Sequence, residues 1–338
     1  MARAGDGFSI LGRPLVARVR TPSLASWLSR QWSFPEHALT PVPYAIHLEE
    51  VDAPPEPLVG TPVSVPLHRM TLSALAGDGG DVWYFGGERT GVRLRIGEAE
   101  SHIAVWGVAS GKDSGATFAA LFVSVAESLR ASGLLPLHAA VAVHGGRATA
   151  LSGPSGVGKS TTLWRLMCSG WAPLAEDFAW LDPATRLVYG WDRGLRLWPE
   201  TRERFVPEVP VEDFRTDADG KLFLAYERLP LPHSVVRSGT LARLAVLARG
   251  AESGADSGSE GGSESGVEGG ATGHASGPLT ALAPLSRPEA VRAWWETIGL
   301  PLSPAMRDRV AMEIATLVQR VDAVRLPLGP GPLPLRDG

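Results

Sequence analysis

The sequence predicts an α/β fold preceded by a β-rich N-terminal region, and three observations predict it. Residues 1–110 carry short apolar runs of strand length broken by Pro and Gly, among them "PYAIHLEEV", "DVWYFGG", "VRLRIG" and "HIAVWGVA". From there on, apolar runs of helical and strand spacing alternate. Between one such strand, "ATALS", and one such helix, "TTLWRLM", lies the glycine-rich "GPSGVGKS".

The bulk properties bound the reading. The 338 residues suffice for two domains, and 44% hydrophobic content supplies a core. A net charge of -4 and a pI near 6.1 offer no basic face of the kind that nucleic acid requires, so no nucleic-acid partner is expected. No run of 18 uncharged apolar residues and no signal-peptide h-region occur, so a cytoplasmic protein without a membrane segment is expected. Cys168 is the single cysteine, which excludes an internal disulfide; within the helix after the loop it reads as a small buried hydrophobe.

The elements follow in order. The N-terminal region holds Trp27, Trp32, Trp83 and Trp106, expected as core, and the second region spans 111–338. Helical spacing with a Ser/Thr-rich start and a terminal glycine predicts a helix from Thr117 to Ala131. "LLPLHAAVAVHGGRATALSG" reads as two strands joined at Gly145 and Gly146. Residues 250–277 are almost wholly Gly, Ser, Glu and Ala and read as a disordered loop. "SRPEAVRAWWETIGL" and "SPAMRDRVAMEIATLVQRV" predict two helices, with a strand at "AVRLPLG" and a Pro/Gly-rich tail behind them.

The stretch Gly153, Pro154, Ser155, Gly156, Val157, Gly158, Lys159, Ser160 matches G-x-x-x-x-G-K-[ST], and Thr161 follows it. Its glycines let backbone amides turn around phosphate oxygens at a helix N-terminus. Lys159 should reach the β- and γ-phosphates, and Ser160 should place its hydroxyl on Mg²⁺. A helix of about a dozen residues falls away for roughly 18 Å, Gly170 caps it, and "WAPLA" climbs back as a strand at about 3.3 Å per residue. Glu176 and Asp177 therefore emerge beside the loop, where a metal ligand and a general base are needed. Antiparallel pairing puts His138 opposite Gly153, to contact the γ-phosphate or tune the base. His144, at the far end of the hairpin, is given no role. Neither an "LSGGQ" nor an "NKxD" segment is present.

On "LHAAVAV", "SGPSGVGKST" and "LAEDF", the chain resembles the HPr serine kinase/phosphorylase superfamily, and more closely its relatives in peptide-biosynthesis clusters, including lasso-peptide kinases. The resemblance runs more loosely from Leu134 to Leu328 and leaves residues 1–110 unassigned. It implies a P-loop kinase domain of the HPr kinase/phosphoenolpyruvate carboxykinase type, with ATP and Mg²⁺, transferring phosphate to a serine of a peptide or protein. Asp177 would be the base assisted by His138, Lys159 would stabilise the transferring group, and Ser160, Glu176 and Asp192 would serve the metal. Arg196 or Arg237 would stand where the family places an arginine near phosphate, though an ordinary surface position is the plainer expectation for both. HPr kinases carry two aspartates, a glutamate after the loop serine and a Glu-Ile-Arg-Gly-Leu-Gly signature; here stand Glu176, Thr161 and "WDRGLRL". Those departures point away from HPr as acceptor and leave reverse phosphorolysis open. A non-catalytic nucleotide switch and a small-molecule kinase are the alternatives, and a homo-oligomer is left open.

Overall fold

The computed structural model describes residues 8–32, 42–56, 58–67, 70–77, 81–108, 114–192, 194–207, 209–216, 220–229, 236–249, 282–329 and 333–335. The stretch 250–277, expected to be disordered, lies outside the described residues, as does most of the Pro/Gly-rich tail. The protein is mixed α/β and divides into two units: 1–136 with 300–313, and 137–299 with 314–338. No helix among the described residues is long and apolar enough to cross a membrane.

The first unit is built on an eight-stranded mixed sheet. Its strands are β1 (Phe8–Ile10), β2 (Arg13–Arg18), β3 (Ala45–Val51), β4 (Thr61–Leu67), β5 (Met70–Ala76), β6 (Val82–Gly86), β7 (Gly91–Ile96) and β8 (Glu100–Trp106), in the order β1-β2-β3-β8-β7-β6-β5-β4. β2, β3 and β8 are parallel, and a parallel pair needs a crossover. Helix α1 (Pro22–Trp32) makes it between β2 and β3. The sequence reading missed this helix, although Leu24 and Leu28 are spaced one turn apart and both are buried. Glu50, near the end of β3, fixes the start of α1 by accepting the amides of Arg20 (2.6 Å) and Thr21 (2.7 Å) and the Thr21 hydroxyl.

Helix α2 (Ser114–Ala131) lies against β6, β7 and β8 and lays Leu121, Val125 and Leu129 along one buried stripe. That packing places α2 in the first unit, so the division falls at 136 and not at the boundary near 110 read from the sequence. Trp83 and Trp106 are core, and Gly91 is a glycine because a Cβ there would stand 2.5 Å from the Trp106 ring. Trp27 is half-buried and stacks on Phe118. The side chain of Trp32 lies outside the described set.

The chain passes between the units in β9 (Leu135–Leu137). In the second unit β10 (Ala140–His144) and β11 (Arg147–Ser152) form the expected hairpin, with Ala140 opposite Leu151. Then come α3 (Lys159–Cys168), β12 (Ala172–Ala175), β13 (Ala179–Leu181), β14 (Leu187–Gly190), β15 (Gly194–Leu197) and α4 (Pro199–Phe205). The rest is β16 (Arg215–Thr216), β17 (Leu222–Ala225), β18 (Ser238–Arg249), β19 (Ala283–Pro284), α5 (Arg287–Ile298), α6 (Pro304–Arg320) and β20 (Asp322–Leu328). α6 runs from the first unit into the second.

The main sheet of this unit follows β12-β10-β11-β18-β14-β13, with β20 beside β18 and β19 beside β20. β11, β18 and β20 are parallel, whereas β10 is antiparallel to both β11 and β12. β11 and β12 therefore run the same way, two strands apart, and end on one edge. α3 packs on β10, β11 and β12 through Leu163, Trp164, Leu166 and Met167. A separate sheet, β15-β17-β16, closes the core over α3 with Leu195, Leu197, Leu222 and Leu224. Cys168 corrects an expectation: it is exposed, because the apolar stripe of α3 ends at Met167 and the next position turns outward.

Candidate functional site

The phosphate-type loop is set by backbone sign. Gly156 (φ 76°) and Gly158 (φ 115°) occupy left-handed conformations that only glycine adopts without strain. Gly158 is the N-cap of α3, and no side chain caps that end, so the first amides of the helix point into the loop. Pro154 O accepts Val157 N–H (3.2 Å), which closes the turn around Ser155 and Gly156. Lys159 is 8% exposed; its Nζ donates to Gly153 O at 3.0 Å and stands 3.9 Å from Asp177 Oδ1.

The acidic pair arrives as expected, directly after β12. Ser160 Oγ donates to Glu176 Oε1, so the second helical position and the end of β12 meet. His138 Nε2 lies 2.9 Å from Asp177 Oδ1. His138 is itself held from the backbone: its N–H donates to Thr297 O (2.8 Å) in the last turn of α5. The Thr297 hydroxyl donates to Ala293 O (2.7 Å) and accepts from Ser152 Oγ (2.5 Å), at the end of β11. One residue of α5 thus ties the histidine to the strand that enters the loop. Sequence reasoning did not find Thr297, since nothing local marks a helical threonine as a clamp.

Asp192, expected among the metal ligands, is engaged from the backbone. Its Oδ2 accepts two backbone amides, from Asp177 (2.9 Å) and Phe178 (2.7 Å). An oxygen engaged twice from the protein holds the Glu176–Asp177 turn in shape. Phe178, next in the chain, meets the rings of Trp180 and Trp191 edge-on, and those two rings are tilted against each other.

The electrostatics separate the carboxylates. Burial, together with the nearby charges of Asp192 and Asp177, pushes Glu176 up to about 7 against the hydrogen bond from Ser160 and the charge of Arg196. Burial also raises Asp192, to about 6, although Arg196 and the two amides favour its charged form. Burial works on Asp177 in the same direction but is outweighed by the hydrogen bond and charge of His138, then by Lys159 and Lys221, and its carboxyl is held low. Asp177 is the carboxylate kept ionised, half-exposed beside the loop.

Of the two arginines considered, Arg196 is the one whose charge acts on Glu176 and Asp192. Arg237 offers its backbone carbonyl to Gly190 N–H at 3.4 Å. Two further residues escaped the sequence reading. Lys221 acts on Asp177, and Tyr226, 2% exposed, senses the charges of Asp192 and Glu176 while its Oη has no hydrogen-bond partner among the described residues. His144 pairs with Arg147 at the hairpin end and packs against Trp171.

Among the described residues no three His, Cys, Asp or Glu side chains form a metal site by themselves. Ser160 and Glu176 offer a partial shell of hard oxygens, which suits Mg²⁺, a cation usually held by one or two protein oxygens with phosphates and water. No family model and no curated protein matches the chain.

Proposed function

We propose that the protein is an ATP-dependent kinase of the HPr-kinase-like type that transfers the γ-phosphate to a hydroxyl, most simply a serine of a peptide or protein. The observation that carries the reading is Asp177: a carboxylate held ionised, hydrogen-bonded to His138, and 3.9 Å from the loop lysine. A protein that only bound nucleotide would have no use for a base so oriented at the mouth of the loop.

Phosphoryl transfer asks for positioning and charge neutralisation. The loop amides and Lys159 bind the phosphates, with Lys159 leaving Gly153 O to meet them. Ser160 and Glu176 would hold Mg²⁺, which would supply positive charge to offset that of the phosphate oxygens. Asp177 orients the acceptor hydroxyl and takes its proton as the new P–O bond forms and the bond to the departing ADP oxygen breaks. His138 keeps the Asp177 carboxylate aimed, and Asp192 holds the turn that bears it.

The test is transfer of label from γ-labelled ATP with Mg²⁺ to serine-containing peptides. Wild type should label them, and Asp177→Asn should lose about 10²–10⁴-fold in rate while still binding ATP. Nucleotide binding without labelling of any acceptor would favour the switch reading; transfer at the wild-type rate by Asp177→Asn would remove the base assignment.

A further inference from the structure

The small sheet β15-β17-β16 has two unlike faces. Leu195, Leu197, Leu222 and Leu224 point inward to the core. Strand alternation sends the intervening residues the other way. Arg196 stands opposite Phe223, and Phe223 opposite Arg215, so the three form one row across the sheet. Leu197 pairs with Leu222, which brings Trp198 and Lys221 together just beyond the ladder; Lys221 Nζ lies 5.4 Å from the centre of the Trp198 ring. Gly194 belongs to the same arrangement, since a Cβ there would meet the Phe223 ring at 2.7 Å.

Among the described residues, the alternation of these strands therefore gives the outer face three cations and two aromatic rings. Trp198 is 43% exposed, unusual for so large an apolar side chain, and Arg196 and Arg215 are exposed as well. The face adjoins the site electrostatically: Lys221 acts on Asp177, and Arg196 acts on Glu176 and Asp192. This concentration of positive charge occurs on a chain whose net charge is -4.

We infer that this face is the acceptor-binding surface, and that the acceptor is a peptide segment with carboxylates flanking its hydroxyl residue. The inference rests on the kinase reading for the location of the acceptor, and on the face itself for its chemistry. Carboxylates of the segment meet Arg196, Arg215 and Lys221, and an apolar side chain lies on Trp198 and Phe223. Arg215, on the strand of the sheet furthest along that row from β15, senses flanking charge without belonging to the phosphate site.

Two fluorescein-labelled peptides of equal length test it, one serine flanked by aspartates and one by lysines, with binding read by anisotropy and phosphorylation read separately. The full-length protein should bind the acidic peptide at least tenfold more tightly, with the difference shrinking as NaCl is raised. Arg215→Glu should weaken the acidic peptide several-fold and leave ATP binding unchanged, and Trp198→Ala should weaken it without altering the salt dependence. Equal binding of the two peptides, or an Arg215→Glu variant that keeps the wild-type preference, overturns the inference. Preferential binding of the acidic peptide without phosphate transfer would uphold the surface and remove the kinase reading.

Discussion

Asp177 is kept charged, against its burial, by His138, Lys159 and Lys221, and of these His138 makes a hydrogen bond to its carboxylate. His138→Ala should leave ATP affinity intact and lower the transfer rate by about tenfold, less than loss of the base itself, as single-turnover kinetics would show. Tyr226 poses the opposite case. A buried hydroxyl without a partner costs about 1–3 kcal/mol, so Tyr226→Phe should keep or raise the thermal midpoint. A clear fall in calorimetry would mean that Oη is paired. The residues legible in the sequence were those within a local motif, namely the loop, Lys159, Ser160 and the acids 16 to 18 positions further on, together with His138, which the register of an adjacent hairpin carries to them. Tyr226, Lys221 and Thr297 were not, because each reaches the site across the sheet or from a distant helix, and no spacing encodes that.

Elements explain why the motif spacing was informative. A ten-residue helix and a four-residue strand return the chain to its starting edge, and the register of β10 on β11 delivers His138. Periodicity revealed these pieces and the late helices, since α5 and α6 bury regular stripes. It did not reveal α1, a short helix inside a β-rich region, nor that β12 would join β10 instead of β11. Thr297→Val in α5 should destabilise by about 1–3 kcal/mol, because it strands the buried Ser152 hydroxyl, and should reduce transfer as well; chemical denaturation and turnover together check this. Glu50 gives α1 a pH signature. Partial burial opposes its ionisation, but the Thr21 hydroxyl, the amides of Thr21 and Arg20 and the Arg20 charge outweigh it, and the carboxyl is held low. A lowered carboxyl stabilises the fold above the ordinary carboxylate range, and the contribution is lost as pH falls through the folded value. The gap in thermal midpoint between wild type and Glu50→Gln should therefore be widest near neutrality and close in acid; a gap independent of pH would contradict it.

At the scale of the molecule, composition conveyed the β-rich first part and the α/β second part, but not how the chain is shared between them. Helix α2 looked like the opening of the second region and belongs to the first, and nothing in its apolar stripe says which sheet it will cover. Least legible of all was the return of 300–313 to the first unit. There Leu302 N–H donates to the buried Glu127 carboxylate (3.1 Å), and Arg309 donates to Ala131 O (2.8 Å). Glu127 and Leu302 are 175 residues apart. On a ribosome adding about 5–20 residues per second, Glu127 waits on the order of ten seconds or more for that amide. The first part of the protein to be synthesised is thus among the last to be finished, and a nascent chain stalled before residue 300 would hold an N-terminal unit without the segment that closes it.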